Sequence, residues 1–427
     1  MEGASSRDQR AETSNLLKDE TVESSNSTFF TDEELAKLKS DYDMGGVEKV
    51  KTVVQQKVTQ LDNTELNVAV TGQTGAGKSS FINAMRGLEF DDEGAAEVDT
   101  VETTMEPTGY KHPSLPNVCF WDLPGIGTNK FPANKYLNKM KFKSYDFFII
   151  ISACRFTEND TKLAREIKRL GKNFYFVRSK IDCDLYSKRK RGRQCNEEEE
   201  LNKIRNDCVS KLQEAGIPSP RVYLISNFDL NLYDFSLLNK ALEDGLPNIK
   251  KSVYILALPN VSLEILEKKR KELRKRIWMS ATLSGGIGAV PVPGVSLAFD
   301  SVIIIKEIVH FRQCLGLDNS SLQSLAKRVG KPVEDLKAVV TTPLVRGEIT
   351  PDVINRLAWG ATAVAASAIE LALDTIPVIG SIFGAGSSFF FTYKLLSAAL
   401  DDLTESAQKV AMAAFGTENN PNQTSVQ

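Results

Sequence analysis

The chain has 427 residues, with 53 basic against 55 acidic side chains, two histidines and six cysteines. That length exceeds one compact domain and suggests two, each with ample material for a core, while the even charge leaves no field to favour a nucleic acid. Cys119, Cys154, Cys183, Cys195, Cys208 and Cys314 form no C-x-x-C pair, which argues against a metal cage or disulfide framework and for the reducing cytoplasm.

Residues 1–30 are polar, with no apolar core of a signal peptide and no glycine at position 2, and are expected to be a disordered tail. Residues 31–62 read as a helical arm. Thr31-Asp32-Glu33-Glu34 opens it, and its apolar positions are Leu35 and Leu38, then, past Gly45-Gly46, Val47, Val50, Val54 and Val58. That stripe is expected to pack on the second domain.

Residues 66–70 (LNVAV) form a short apolar strand, followed by Gly72-Gln73-Thr74-Gly75-Ala76-Gly77-Lys78-Ser79 and a helix over 80–87. A glycine-rich turn between strand and helix lets backbone amides of Gly72, Gly75, Ala76, Gly77 and Ser80 close around phosphates. Lys78 would bring a mobile positive charge to the outer phosphates, and Ser79 a hydroxyl for Mg²⁺. Residues 94–109 are polar, threonine-rich and aperiodic, as expected of a loop that orders around a terminal phosphate. Thr104 is the chosen metal-facing hydroxyl there, in competition with Thr100 and Thr103.

The next strand, 117–121 (NVCFW), ends in Asp122-Leu123-Pro124-Gly125. Asp122 would hold the metal and the Gly125 amide would meet the terminal phosphate. After a buried strand at 146–153, residues 173–178 (NFYFVR) run into Ser179-Lys180-Ile181-Asp182. This matches the Asn/Thr-Lys-x-Asp pattern of guanine readers except for serine at the first place. Asp182 can accept the N1 and N2 hydrogens of guanine together, and adenine, lacking that donor pair, would lose roughly 2 to 5 kcal/mol. Lys180 would lie along the base plane. A last strand, 221–225, ends in Ser226-Asn227, where a backbone amide could meet guanine O6.

Lys188-Arg189-Lys190-Arg191-Gly192-Arg193 ahead of Glu197 to Glu200 reads as a charged surface loop entering a helix. The alternation over residues 63–248 therefore indicates an α/β fold, a P-loop nucleotide domain with a mostly parallel sheet flanked by helices. Residues 249–416 read as a separate all-helical domain completed by the arm, and 417–427 as a second disordered tail. Within it a basic helix, 264–276, feeds an uncharged run over 277–299, and a second apolar region spans 357–393. Each apolar region carries a proline-glycine corner and reads as a helical hairpin, either core packing or shallow membrane embedding, with the basic residues facing anionic headgroups in the latter case.

These stretches carry a resemblance. SFINAMRG, PNVCFWDLPGIGTNKFP, KFKSYDFFIIISACRFTEND and FYFVRSKID are similar to the interferon-inducible immunity-related GTPases over about residues 31–277. The resemblance implies a dynamin-like GTPase that binds GTP and GDP with Mg²⁺, self-assembles when GTP-loaded, meets related GTPases and intracellular membranes, and acts in innate defence. Gly77 before Lys78 matches the presumed effector type. Small signalling GTPases place Gln directly after the DxxG motif, whereas this chain has Ile126, so hydrolysis within one molecule is expected to be slow. A homodimer across the nucleotide faces could supply the missing group, with Arg155 and Glu102 as candidates beside Lys78, Thr104 and Gly125. The alternative is a nucleotide-gated scaffold with negligible hydrolysis.

Overall fold

A computed structural model describes residues 32–98, 106–124, 142–153, 158–169, 171–190, 196–285, 295–354 and 387–416. A six-stranded sheet organises the first half, in the order β2-β3-β1-β4-β5-β6. Its strands are β1 (Leu66–Gly72), β2 (Thr108–Lys111), β3 (Val118–Asp122), β4 (Phe147–Ser152), β5 (Phe174–Arg178) and β6 (Val222–Leu224). Only β2 is antiparallel, against β3 at the edge, so the fold is the mostly parallel, helix-flanked α/β sheet that the alternation indicates. All six residues of β4 (FFIIIS) are buried, as a parallel strand covered on both faces requires.

Side-chain alternation sorts the two faces. Val68, Val70, Ile149 and Ile151 meet Phe81 and Met85 of α2 (Lys78–Arg86) on one side. Ala69, Phe148 and Ile150 meet Leu163 and Ile167 of α3 (Glu158–Arg169), Ile181 of α4 (Ile181–Lys190) and Leu212 of α5 (Glu197–Glu214) on the other. The register pairs Val70 with Asp122 and Gly72 with Ile151, so the loops leaving the carboxyl ends of the strands converge on one edge.

The first face does not end at the sheet. Its apolar cluster continues through α6 (Phe235–Asp244) and α7 (Asn248–Ala257) into α8 (Leu263–Gly285), α9 (Val295–Cys314) and α13 (Ser387–Phe415), taking in Leu266, Leu273, Ile308, Phe311, Leu400 and Leu403. Helices α8 and α13 lie along each other. Three shorter helices, α10 (Asn319–Val329), α11 (Val333–Ala338) and α12 (Pro343–Arg346), join α9 to the end of the described stretch at residue 354.

The arm is α1 (Asp32–Asn63), interrupted at Gly46 with φ 66° and ψ −160°. Asp41 and Lys49 pair across the break at 2.9 Å. Leu38, Val50, Val54 and Val58 bury against Trp278, Met279 and Leu283 of α8, which places the stripe on the C-terminal helices.

Three features depart from the sequence reading. Thr108 and Gly109 belong to strand β2 and not to the polar loop. Lys188 to Lys190 form the last turn of α4, where cations favour the helix dipole; they face α5, through Lys188 with Glu200 and Arg189 with Glu197. The basic run of α8 turns inward: Lys268 reaches Glu243, Arg270 and Arg274 share Asp401, Lys275 takes Glu272, and Arg276 joins Glu307 and Asp62. Each of these cations thus has a carboxylate within the molecule, while Arg274 and Asp401 stay exposed. Among the described residues of the run, Lys271 alone has no intramolecular partner. No described helix is long and apolar enough to cross a membrane. Most of 357–393, the corner at 286–294 and both polar tails lie outside the described residues.

Candidate nucleotide site

Where β1 hands over to α2, Gly72 closes the strand, Gly75 and Ala76 form the turn, and Gly77 is the N-cap with φ 91°. That dihedral is left-handed, and a Cβ there would lie 2.9 Å from Asn227 Nδ2, so glycine is needed twice over, for conformation and for space. The first bond inside α2 is Phe81 N to Gly77 O. The amides of Lys78, Ser79 and Ser80 precede it and point into the turn as helix N-termini do. Lys78 is buried, its Nζ donating to Gln73 O at 3.3 Å.

Asp122, buried at the end of β3, accepts a hydrogen bond from Ser79 Oγ at 2.9 Å. The hydroxyl and carboxylate assigned to one metal from separate motifs thus arrive side by side. Both are hard oxygen donors of the kind Mg²⁺ takes.

The end of β5 closes the site from the other flank. Ser179 is fully buried and donates to Ala76 O at 2.7 Å, with Ser152 O at 3.3 Å. It therefore ties the base-side loop to the phosphate turn. Lys180 has φ 59°, a left-handed conformation that costs a lysine about 1–2 kcal/mol. Its strain swings the chain so that Asp182 enters the first turn of α4. Asp182 Oδ1 is buried and has no hydrogen-bond partner among the described residues. Asn227 Nδ2 donates to Gly77 O at 3.0 Å, while Ser226 Oγ accepts from Phe228 N and Asp229 N and is consumed in shaping its own turn.

A family model described as Interferon-inducible GTPase (IIGP) matches residues 31–384. The chain belongs to the interferon-inducible GTPase family. It is a P-loop GTPase of that family, and GTP and GDP are its nucleotides. Interferon-inducible GTPase 1 of Mus musculus is 42% identical over 302 residues, covering 70% of this chain and 73% of that protein. Interferon-inducible GTPase 5 of Bos taurus is 40% identical over 388 residues, covering 90% and 83%. Interferon-gamma-inducible GTPase 10 of Mus musculus is 37% identical over 385 residues, covering 90% and 89%.

Lys78, Ser79, Asp122, Ser179, Lys180, Asp182, Ser226 and Asn227 all lie at the carboxyl ends of the strands, in the strand ends, loops and first helical turns there. Glu102, Thr104, Gly125 and Arg155 fall outside the described residues, as do Thr100, Thr103 and Ile126. One supporting pair escapes a sequence reading: Arg178, nearly inaccessible, donates to Ser179 O at 2.6 Å and to Asp184 Oδ2 at 2.5 Å. It fixes α4, and Asp182 with it, to the end of β5. The available signal is a strand-terminal arginine six residues before an acid, which is too common to be read alone.

Proposed function

We propose that this GTPase reads guanine through Asp182, holds the phosphates with the turn from Gly72 to Ser80, and hydrolyses GTP as a self-assembling protein of intracellular membranes in innate defence. The observation that carries the guanine reading is the buried Oδ1 of Asp182, which has no hydrogen-bond partner among the described residues. A buried carboxylate oxygen without a donor costs about 1–3 kcal/mol or more, and the N1 and N2 hydrogens of guanine would repay it. Ser79 and Asp122 fit Mg²⁺, with Thr104 as the third proposed ligand. Bound there, the ion would neutralise charge developing on the outer phosphates. Lys78 would contribute a second positive charge, and the Ser179 and Asn227 bonds would keep the phosphate turn and base loop at constant separation.

Self-assembly, membrane association and defence rest on family membership and on the sequence. Ile126 in place of the water-orienting glutamine supports completion by a second copy, with Arg155 and Glu102 as donors across the nucleotide faces. The same residue favours the second reading, a nucleotide-gated regulator that scarcely hydrolyses GTP. The division at residues 248 and 249 is proposed on the same footing.

Asp182→Asn tests the base assignment. An amide offers guanine one acceptor instead of two, so GDP affinity by calorimetry should fall about 30-fold or more, while xanthosine diphosphate, with an oxygen at C2, should gain. Wild-type protein that binds ADP and GDP equally would overturn the assignment.

A further inference from the structure

At the far end of α2 from the phosphate turn, a cavity of about 100 Å³ lies between that helix, the β2–β3 turn, and helices α8 to α10. On the same measure a single water needs about 10–15 Å³, so the space suits a small polyatomic ion. Arg86, Lys269 and Arg328 line it, and none of its lining residues is Asp or Glu. Arg328 already has a carboxylate, pairing with Glu89 at 2.8 Å. The other two cations do not. Arg86, 7% exposed, donates to the carbonyls of Lys111 and Gly94, both at 3.0 Å, and sits over the Tyr110 ring. Lys269, 2% exposed, donates to Cys314 O at 2.7 Å. Neither has a carboxylate within ion-pair distance among the described residues.

Two buried cations facing one cavity with only neutral partners are costly, because each loses its hydration and each repels the other. Burial draws the Lys269 ammonium down to about 8, still largely charged at neutral pH. His112, also on the wall, adds no negative charge: its Nδ1 accepts from Ser114 N at 3.2 Å, and it is held neutral. The carbonyls at the end of α2 do not claim the space, since Gly87 N and Leu88 N bond back to Ala84 O and Asn83 O. An arginine fork beside a lysine point charge suits a tetrahedral oxyanion.

From this arrangement we infer a second anion site, in which Arg86, Lys269 and Arg328 bind a single phosphate group at the junction of sheet and helices. Arg86 ends the helix that starts at the phosphate turn, and it also holds Gly94 and Lys111, which flank the polar loop. An occupant would therefore brace that loop's anchors against α8 and α10. The group could come from free phosphate or from a phosphorylated lipid headgroup.

The test uses full-length protein saturated with GDP, so that the phosphate turn is filled, with inorganic phosphate added at constant ionic strength. Thermal unfolding should shift upward by about 2–4 °C and saturate at millimolar phosphate. Calorimetry on the wild type should give one phosphate per chain. In Lys269→Met the saturable shift should vanish with GDP affinity unchanged. Absence of saturable binding to the wild type, or an equal response in the variant, would overturn the site. A parallel arm assigns the source. Vesicles of phosphatidylcholine with phosphatidylinositol 4-phosphate, bound in a manner that inorganic phosphate competes, indicate a headgroup; phosphate binding without vesicle binding indicates the free ion.

Discussion

Ser179 stands where guanine readers carry asparagine or threonine, and its bond to Ala76 O shows what the position needs: a donor that ties the base loop to the phosphate turn. A serine hydroxyl supplies it, so the departure carries no weight towards adenine. Ser179→Ala would leave the Ala76 carbonyl without this donor, at about 1 kcal/mol. GDP affinity measured by calorimetry should drop about 5- to 10-fold, and Ser179→Thr, which keeps the hydroxyl, should recover most of it. Unchanged affinity in the alanine variant would show that the tether is ornamental. Gly77→Ala is the backbone counterpart. Its φ of 91° and the 2.9 Å approach of Asn227 should lower stability by about 1–2 kcal/mol and weaken nucleotide binding in the same titration.

Among the elements, α10 reaches back to the start of the polar loop. Arg328 pairs with Glu89 at 2.8 Å and Lys327 with Asp92 at 2.8 Å, so the helical region grips residues 89–92 just upstream of Thr104. Arg328 and Glu89 are both largely screened from water, and Arg328→Glu should therefore cost about 1–3 kcal/mol in urea unfolding. Lys327→Glu, on the exposed member, should cost less; the reverse order would contradict the grip as described. The apolar strands β1, β3, β4, β5 and β6 were legible because each is a short buried run, and all but β4 end in a motif whose residues fall at the ends that parallel sheets bring together. Strand β2 was not, since TGYK is a short, mostly exposed edge whose only cue is its pairing with β3. The partners of the basic run of α8 were illegible for a similar reason. The acids that pair with Arg276 and Arg270 lie 31, 214 and 131 residues away, and no local pattern announces them. The tethers of the candidate site span 103 and 150 residues, so the sequence shows where the candidate residues fall but not how they are held.

For the molecule as a whole, one apolar cluster runs from β1 to α13, and two partly buried histidines contribute to its response to acid. Desolvation lowers both His112 and His310 to about 3, which a backbone bond to Ala257 offsets only in part for His112, while Arg276 adds to the effect at His310. With folded values below the unfolded 6.5, the unfolded chain binds more protons between these limits. Their contribution is complete above pH 6.5 and is lost as pH falls towards 3. By pH 5 the pair should cost about 2–3 kcal/mol, after allowance for their remaining access to water. Urea unfolding at pH 7 and 5 measures it, and equal stability would contradict the assignment. The proposed assembly has its own measurement: GTP turned over per molecule as a function of protein concentration. Completion of the site by a second copy requires that value to climb with concentration in the wild type and to flatten in Arg155→Ala. A wild-type trace that stays flat and near zero would contradict the proposal and leave the nucleotide-gated regulator in its place.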